Sequence, residues 1–234
     1  MNIRPIKTRI FREGEDLISF IRSSVPRLKG RTIIAVTSKI VALAEGRVVP
    51  LEQKESVIQK ESEWALKAKW VWLTLKDGIL LANAGADASN AAGKLVLLPR
   101  DSFKSAARIR KHLKRHYKIK RLGVLLTDSR VTPLRSGVIG VALGYAGFKG
   151  LRDYRGKRDI FGRKLQFSGT NVADSLATAA VVVMGEGNER LPIAVITDAP
   201  VEFVERVNRK EILISAKDDM YAQLFRRVKR KKLR

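Results

Sequence analysis

Three charged side chains stand close together in "TDSRVTPLRSG", residues 127–137: Asp128, Arg130 and Arg135. The stretch follows the apolar run "LGVLL", which places the carboxylate where a buried strand ends and both guanidinium groups in the loop beyond. A carboxylate at such a point suits a hard cation, which takes oxygen ligands and completes its shell with waters and phosphates. Arginine suits phosphates and carboxylates, because its planar fork holds two oxygens at once. Three more loops carry the same kinds of group. "ANAGADASN" offers Asn83, Asp87, Ser89 and Asn90, with Gly85 free to let the backbone approach a ligand. "VTSKIVALAEGR" offers Ser38, Lys39, Glu45 and Arg47. "DYRGKRDIFGRKLQFSGTN" offers Asp153, Asp159, Ser168, Thr170 and Asn171. Each loop taken singly is also ordinary turn composition. Together they point to a shared site for an anion and a metal at strand ends.

Other chemistries are excluded by what is missing. The chain has no cysteine, so neither thiolate catalysis nor disulfides arise. No GxxxxGK[ST] loop is present, since "GK" at 93–94 is followed by Leu95 and position 88 holds no glycine. No GxGxxG joins a strand to a helix. His112 and His116 are spaced like metal ligands on a helix, but lysines and arginines surround them and disfavour a cation. Phosphoryl chemistry needs no protein nucleophile when a substrate carboxylate attacks a nucleotide, because catalysis is then positioning and charge neutralisation.

The elements that must position these groups can be read from periodicity. Helices are expected over "GEDLISFIRSSV", "KESVIQKESEWALKAK", "DSFKSAARIRKHLKRHY", "NVADSLATAAVVVMG" and "SAKDDMYAQLFRRVKRKK". Asp101 or Ser102 caps the third of these and Gly185 ends the fourth. Strands are expected over "RTIIAVT", "KLVLLP", "RLGVLLT" and "LPIAVIT". "WVWLTL" and "GILLA", joined by Asp77-Gly78, form a hairpin. Strands and helices mix without strict alternation, which predicts an α+β (mixed α/β) fold. The chain reads as one domain over residues 1–234, with a smaller subdomain allowed and a basic tail at 226–234.

The net charge of +24 implies anionic partners. Much of it gathers in "HLKRHYKIKR" at 112–121 and "FRRVKRKKLR" at 225–234, which read as a solvated helix face and a basic tail. Aromatic residues make up 6% and are not interleaved with these clusters, so nucleic-acid contact reads as incidental. No signal peptide or membrane span is visible, and a cysteine-free chain suits the cytoplasm.

Read together, the loops resemble the coenzyme F420-0:L-glutamate ligase family, the γ-glutamyl ligases. The resemblance runs through "VTSKIVALAEGRVV", "ANAGADASN", "LLPRDSFKSAARIR", "LLTDSRVTPLRSGVIGVALGYAGF", "DYRGKRDIFGRKL", "NVADSLATAAVVVMGEGNERLP" and "AKDDMYAQLF", in the family's order and over most of the chain. It implies a mixed α/β fold forming an intertwined homodimer. It also implies a GTP-dependent ligation of L-glutamate to a polyanionic cofactor through an acyl phosphate. Mg²⁺ or Mn²⁺ is implied, with a monovalent ion such as K⁺ in support.

By position, the resemblance makes Asp128 the first metal ligand, Thr170 a second metal contact, and Asp218 or Asp219 the C-terminal acidic ligand. It puts nucleotide contacts at Ser38 and Lys39, with Arg9 and Ile10 in a covering segment and Asn83 and Lys217 alongside. Arg130 and Arg135 are assigned on physical grounds to phosphate or carboxylate, or else to pairing with acids such as Asp153 or Asp159.

The chain also departs from the family. Where the family reads "TDTFGRPWREG", it has "TDSRVTPLRSG"; Gly169 replaces an acid before Thr170, and Leu43 replaces a lysine before "AEG". Asp159 or Asp174 could rebuild the metal site. The expected acceptor is coenzyme F420-0, with a reduced folate as the alternative. A reading of another class is a non-catalytic nucleotide- or RNA-binding protein.

Overall fold

Apolar side chains at 33–36 alternate between two cores. Ile34 and Val36 join a cluster with Phe20, Ile21, Ile40, Ile109 and Leu113. Ile33 and Ala35 join another with Leu125, Ala173, Leu176 and Ala177. A strand that is apolar on both faces must be covered by helices on both sides.

The computed structural model describes residues 1–215 and 217–225. In chain order the elements begin β1 (Asn2–Ile6), α1 (Leu17–Ser24), β2 (Thr32–Thr37), α2 (Ser38–Ala44) and β3 (Val48–Pro50). Next come α3 (Lys54–Glu61), β4 (Trp64–Lys67), β5 (Trp72–Lys76), β6 (Ile79–Ala82) and β7 (Lys94–Val96). Then follow α4 (Ser102–Tyr117), β8 (Leu122–Val131), β9 (Val138–Ala146), β10 (Leu151–Asp153) and β11 (Gly169–Asn171). The series closes with α5 (Val172–Met184), β12 (Ile193–Thr197) and α6 (Ala222–Phe225). The expected mixed α/β architecture is what the structure has.

The main sheet has the order β1-β12-β2-β8-β9. β2 and β8 run parallel, and the other neighbours are antiparallel. α1, α2 and α4 cover one face and α5 the other. The alanines of α5 allow a close approach: a Cβ on Gly140 of β9 would lie 2.3 Å from the Ala177 carbonyl oxygen. Side-chain caps set the helix starts. Asp16 accepts from Ser19 N at 2.7 Å, Asp101 from Lys104 N at 3.0 Å and Asn171 from Asp174 N at 3.0 Å. Each such cap contributes about 1 kcal/mol.

Between α2 and α4 the chain builds a smaller unit. β3 pairs with β7, and β4-β5-β6 form an antiparallel meander. Its core holds Val57, Ile58, Ala86, Leu95 and Leu97. The Asp77-Gly78 turn has φ 52° and 75°, the primed geometry that Asp-Gly favours.

Three expectations are corrected. The helix at 54–69 stops at Glu61, and Trp64–Lys67 is a strand paired with Trp72–Lys76. Glu61 and Glu63 oppose the negative end of the helix, and a ready strand partner takes over. The strand at 121–127 continues to Val131, because β9 supplies its ladder; Arg130 is therefore in the strand, and Arg135 alone is in the loop. The C-terminal helix is confined, among the described residues, to Ala222–Phe225, with turns at 217–221 before it. The basic tail at 226–234 lies outside the described residues. No helix among the described residues is long and apolar enough to cross a membrane.

Candidate active site

The parallel pair fixes the site. Thr37 of β2 lies beside Thr127 of β8, so Ser38 and Asp128 leave the ladder at the same level. Carboxyl ends of parallel strands are where such sheets bind ligands. Ser38 is buried at the start of α2. Lys39, one residue on, donates from Nζ to Asp87 Oδ2 at 2.6 Å, to the Ser89 carbonyl at 2.6 Å and to Ser89 Oγ at 3.1 Å. Ser89 in turn donates its backbone N–H and its hydroxyl to the Asp87 carboxylate. Asp87 is itself fixed by paired backbone bonds with Val96, both 2.9 Å. Asn90 donates to the Gly187 carbonyl at 3.0 Å, which ties this loop to the turn after α5.

Asp128 is half-buried in β8 opposite Val141. Burial pushes its carboxyl up to about 7; the Ser129 N–H opposes this, the negative charges of Asp87 and Glu186 add to it, and Lys39 opposes it. Asp87 behaves differently. Burial pushes it up, but hydrogen bonds from Lys39 and Ser89 outweigh that and hold it below the ordinary aspartate range. Asp128 thus feels the negative charges of Asp87 and Glu186 as well as the positive charge of Lys39, which is itself paired with Asp87, in a chain of net charge +24. A site with surplus negative charge and oxygen donors fits a hard divalent cation. Among the described residues no three acidic or histidine side chains converge into a ready cage. That suits Mg²⁺, which takes one or two carboxylates and fills its shell with water and phosphate.

Arg130 Nη2 lies 3.8 Å from Asp174 Oδ2, and its Nε is buried without a partner. Its acid is therefore Asp174, where the sequence pointed to Asp153 or Asp159. Asp153 is held by Arg155, and Asp159 accepts from the backbone of Phe161 and Arg163. Asp174 accepts from Ala142 N at 2.9 Å and from Asn171 Nδ2 at 2.8 Å, a structural duty at the start of α5. Those bonds bring the Thr170 segment towards β9 at Ala142, next to the Val141 that pairs with Asp128. Thr170 itself is exposed, opposite Arg152. Arg135 is exposed in the 132–137 loop.

The remaining positions lie further out. Arg9 forms a two-pronged pair with Glu15, at 2.9 and 2.5 Å, and stacks over Phe20. Ile10 beside it is exposed. Their segment is joined to the site's surroundings by Thr8 N to the Arg190 carbonyl and Gly14 N to the Leu43 carbonyl. Asn83 has φ 54° and accepts from Trp72 N, a turn role. The space that Gly85 leaves is filled by Leu98, 2.5 Å from a built Cβ, rather than by a ligand. Lys217, Asp218 and Asp219 lie in the turns before α6. The described bonds of Asp218 and Asp219 are local, to Ser215 and Tyr221, and none reaches Asp128. Glu186 was not singled out in the sequence; its only signal is an acid between two glycines directly after a helix.

The chain matches the family described as F420-0:Gamma-glutamyl ligase over residues 5–61 and 54–198. A coenzyme F420:L-glutamate ligase of Methanococcus maripaludis is 40% identical over 214 residues, covering 89% of this chain and 86% of that protein. One from Archaeoglobus fulgidus is 30% identical over 239 residues, covering 93% and 94%. One from Methanocaldococcus jannaschii is 33% identical over 196 residues, covering 82% and 78%.

Proposed function

Because this chain belongs to the F420-0:γ-glutamyl ligase family, we propose that it joins L-glutamate to a carboxylate of coenzyme F420-0 in the cytoplasm, at the expense of GTP. It is an amide-forming ligase, as its relatives are named. The observation that carries the site is the half-buried Asp128 beside the Lys39–Asp87–Ser89 network at the ends of β2 and β8.

In this reading an acceptor carboxylate oxygen attacks the γ-phosphorus of GTP, the bond to the bridging oxygen breaks, and GDP leaves. The amine of L-glutamate then attacks the acyl carbon, phosphate departs, and the amine proton passes to solvent. Asp128 would hold the Mg²⁺ or Mn²⁺, with Thr170 and the negative charges of Asp87 and Glu186 in support. Bound there, the cation neutralises phosphate charge, the main demand of phosphoryl transfer. Lys39 and Ser38 contact the nucleotide. Arg130, with its unfilled Nε, and the exposed Arg135 hold phosphate or carboxylate oxygens. Arg9 and Ile10 border the nucleotide. Asp218 or Asp219 reaches the site only if its turn is brought to Asp128.

The active form we propose is a homodimer. Leu134 at the tip of the β8–β9 hairpin is fully exposed, as nearly are Ile160, Phe161 and Phe167. Exposed apolar groups of this size are normally covered in an assembly.

The test is a mass measurement. The protein is incubated with GTP, Mg²⁺ or Mn²⁺ and L-glutamate, with F420-0 or tetrahydrofolate in separate reactions. F420-0 gains a glutamyl unit, and GDP and phosphate appear only when all components are present. Gain on tetrahydrofolate alone replaces the acceptor; gain on neither, with GTP unconsumed, overturns the reading.

A further inference from the structure

A second concave surface lies at the opposite end of β8 from Asp128. It encloses about 1000 Å³ and is walled by α4, the 118–120 turn, the end of β9 and residues 205–209. Arg110, which lines it, donates from Nε to the carbonyl of Leu122, the first residue of β8, at 2.7 Å. Six residues of strand separate Leu122 from Asp128, about 20 Å. It is therefore not part of the ligase site.

Nine cationic side chains line this groove against one carboxylate, Glu205. Glu205 is already shared by Arg110 and Lys114, at 3.1 and 2.9 Å. Lys111, Arg115 and Lys118 are exposed and have no acidic partner among the described residues. With Lys104 they recur at helical spacing along one side of α4 and the turn that caps it. Like charges stacked this way destabilise a helix unless an anion meets them. The stripe runs from residue 104 to residue 118, roughly 20 Å, with its cations one to two turns apart, so its ligand is extended and repeatedly charged.

The form of the surface narrows the ligand. No strongly exposed apolar side chain lines it, so it lacks the anchor that a protein partner or a bilayer would need. A flat bilayer does not enter a concave groove. Of its two lining aromatics, Tyr145 is buried and Phe103 is already stacked by Arg209 at 4.9 Å, so base stacking is not on offer. We propose that this groove binds the phosphate backbone of single-stranded nucleic acid, by charge and without sequence preference. The site is independent of the ligase reaction.

The experiment measures anisotropy of a labelled oligo(U) of about 20 nucleotides with the full chain, from about 50 to 200 mM salt. Binding falls steeply with salt. The double variant Lys111→Glu/Arg115→Glu flattens the slope of log K against log salt by about one to two and weakens binding at least about tenfold. Its melting temperature and ligase turnover stay those of the parent. An unchanged slope in that variant, with binding lost only on removal of residues 226–234, assigns the affinity to the tail and overturns the proposal. Equal or tighter binding of duplex RNA, or binding to phosphatidylglycerol vesicles but not to oligo(U), overturns it as well.

Discussion

Burial, with the negative charges of Asp87 and Glu186 adding to it, pushes the Asp128 carboxyl up to about 7. An unfolded aspartate titrates near 3.9. In metal-free protein the folded state therefore holds the proton more tightly than the unfolded state. The contribution of Asp128 to stability is full below about pH 4, declines as pH rises towards 7, and is flat above. Asp128→Asn removes that titration. In the presence of chelator, the variant should match the parent at pH 4 and exceed it by about 1–3 kcal/mol at pH 8, as read by urea melts. The same variant should lose ligase turnover, since an amide neither carries the charge nor replaces it. Equal pH dependence in both proteins would remove the electrostatic account of the site. Asp128 was legible in the sequence because a carboxylate directly after a buried apolar run is costly and needs a reason. Its companions were less so. Lys39 and Asp87 are far apart in the chain, and nothing local in "GEG" separates Glu186 from a turn residue.

Two glycines of β9 set how closely the helices can lie. A Cβ on Gly140 would be 2.3 Å from the Ala177 carbonyl oxygen, and one on Gly144 would be 2.5 Å from the Ser102 carbonyl carbon. These contacts are with backbone, which cannot swing aside. Gly140→Ala should cost about 3 kcal/mol or more, read as a fall in melting temperature. Gly169 is different: a Cβ there meets Leu151 Cδ1 at 3.5 Å and the Arg152 carbonyl oxygen at 3.6 Å, ordinary contact. Gly169→Asp should therefore change stability by less than about 0.5 kcal/mol. It should also tighten Mn²⁺ binding, measured by paramagnetic relaxation; unchanged affinity would place Thr170 away from the metal. Local signals exposed much of this level in advance. Asp101 fixes a boundary through its side-chain cap, and Asp77-Gly78 through its left-handed backbone. The strand at 64–67 and the extension of β8 through Arg130 stayed hidden, because a partner strand elsewhere decides both.

At the scale of the molecule, net charge +24 keeps copies apart, and an assembly must offset that repulsion with apolar contact. If the exposed Phe161 and Phe167 lie in the interface, Phe161→Glu with Phe167→Glu should give the monomer mass by light scattering, while the parent gives the dimer mass. The fold class was legible from the mixture of strands and helices. The order of the sheet was not, since it depends on long-range pairing.

That order has a consequence in time. β12 lies between β1 and β2, the first two strands to leave the ribosome, and the parallel mate of β2 comes only at Leu122. The early strands cannot zip to each other: β2 waits for β8, and β1, whose one neighbour in the sheet is β12, waits longer still. The hairpins of β4, β5 and β6 pair with near neighbours and close much sooner. Stalled nascent chains ending before Ile193 should stay protease-sensitive across β1, and chains carried well past Thr197 should become resistant there.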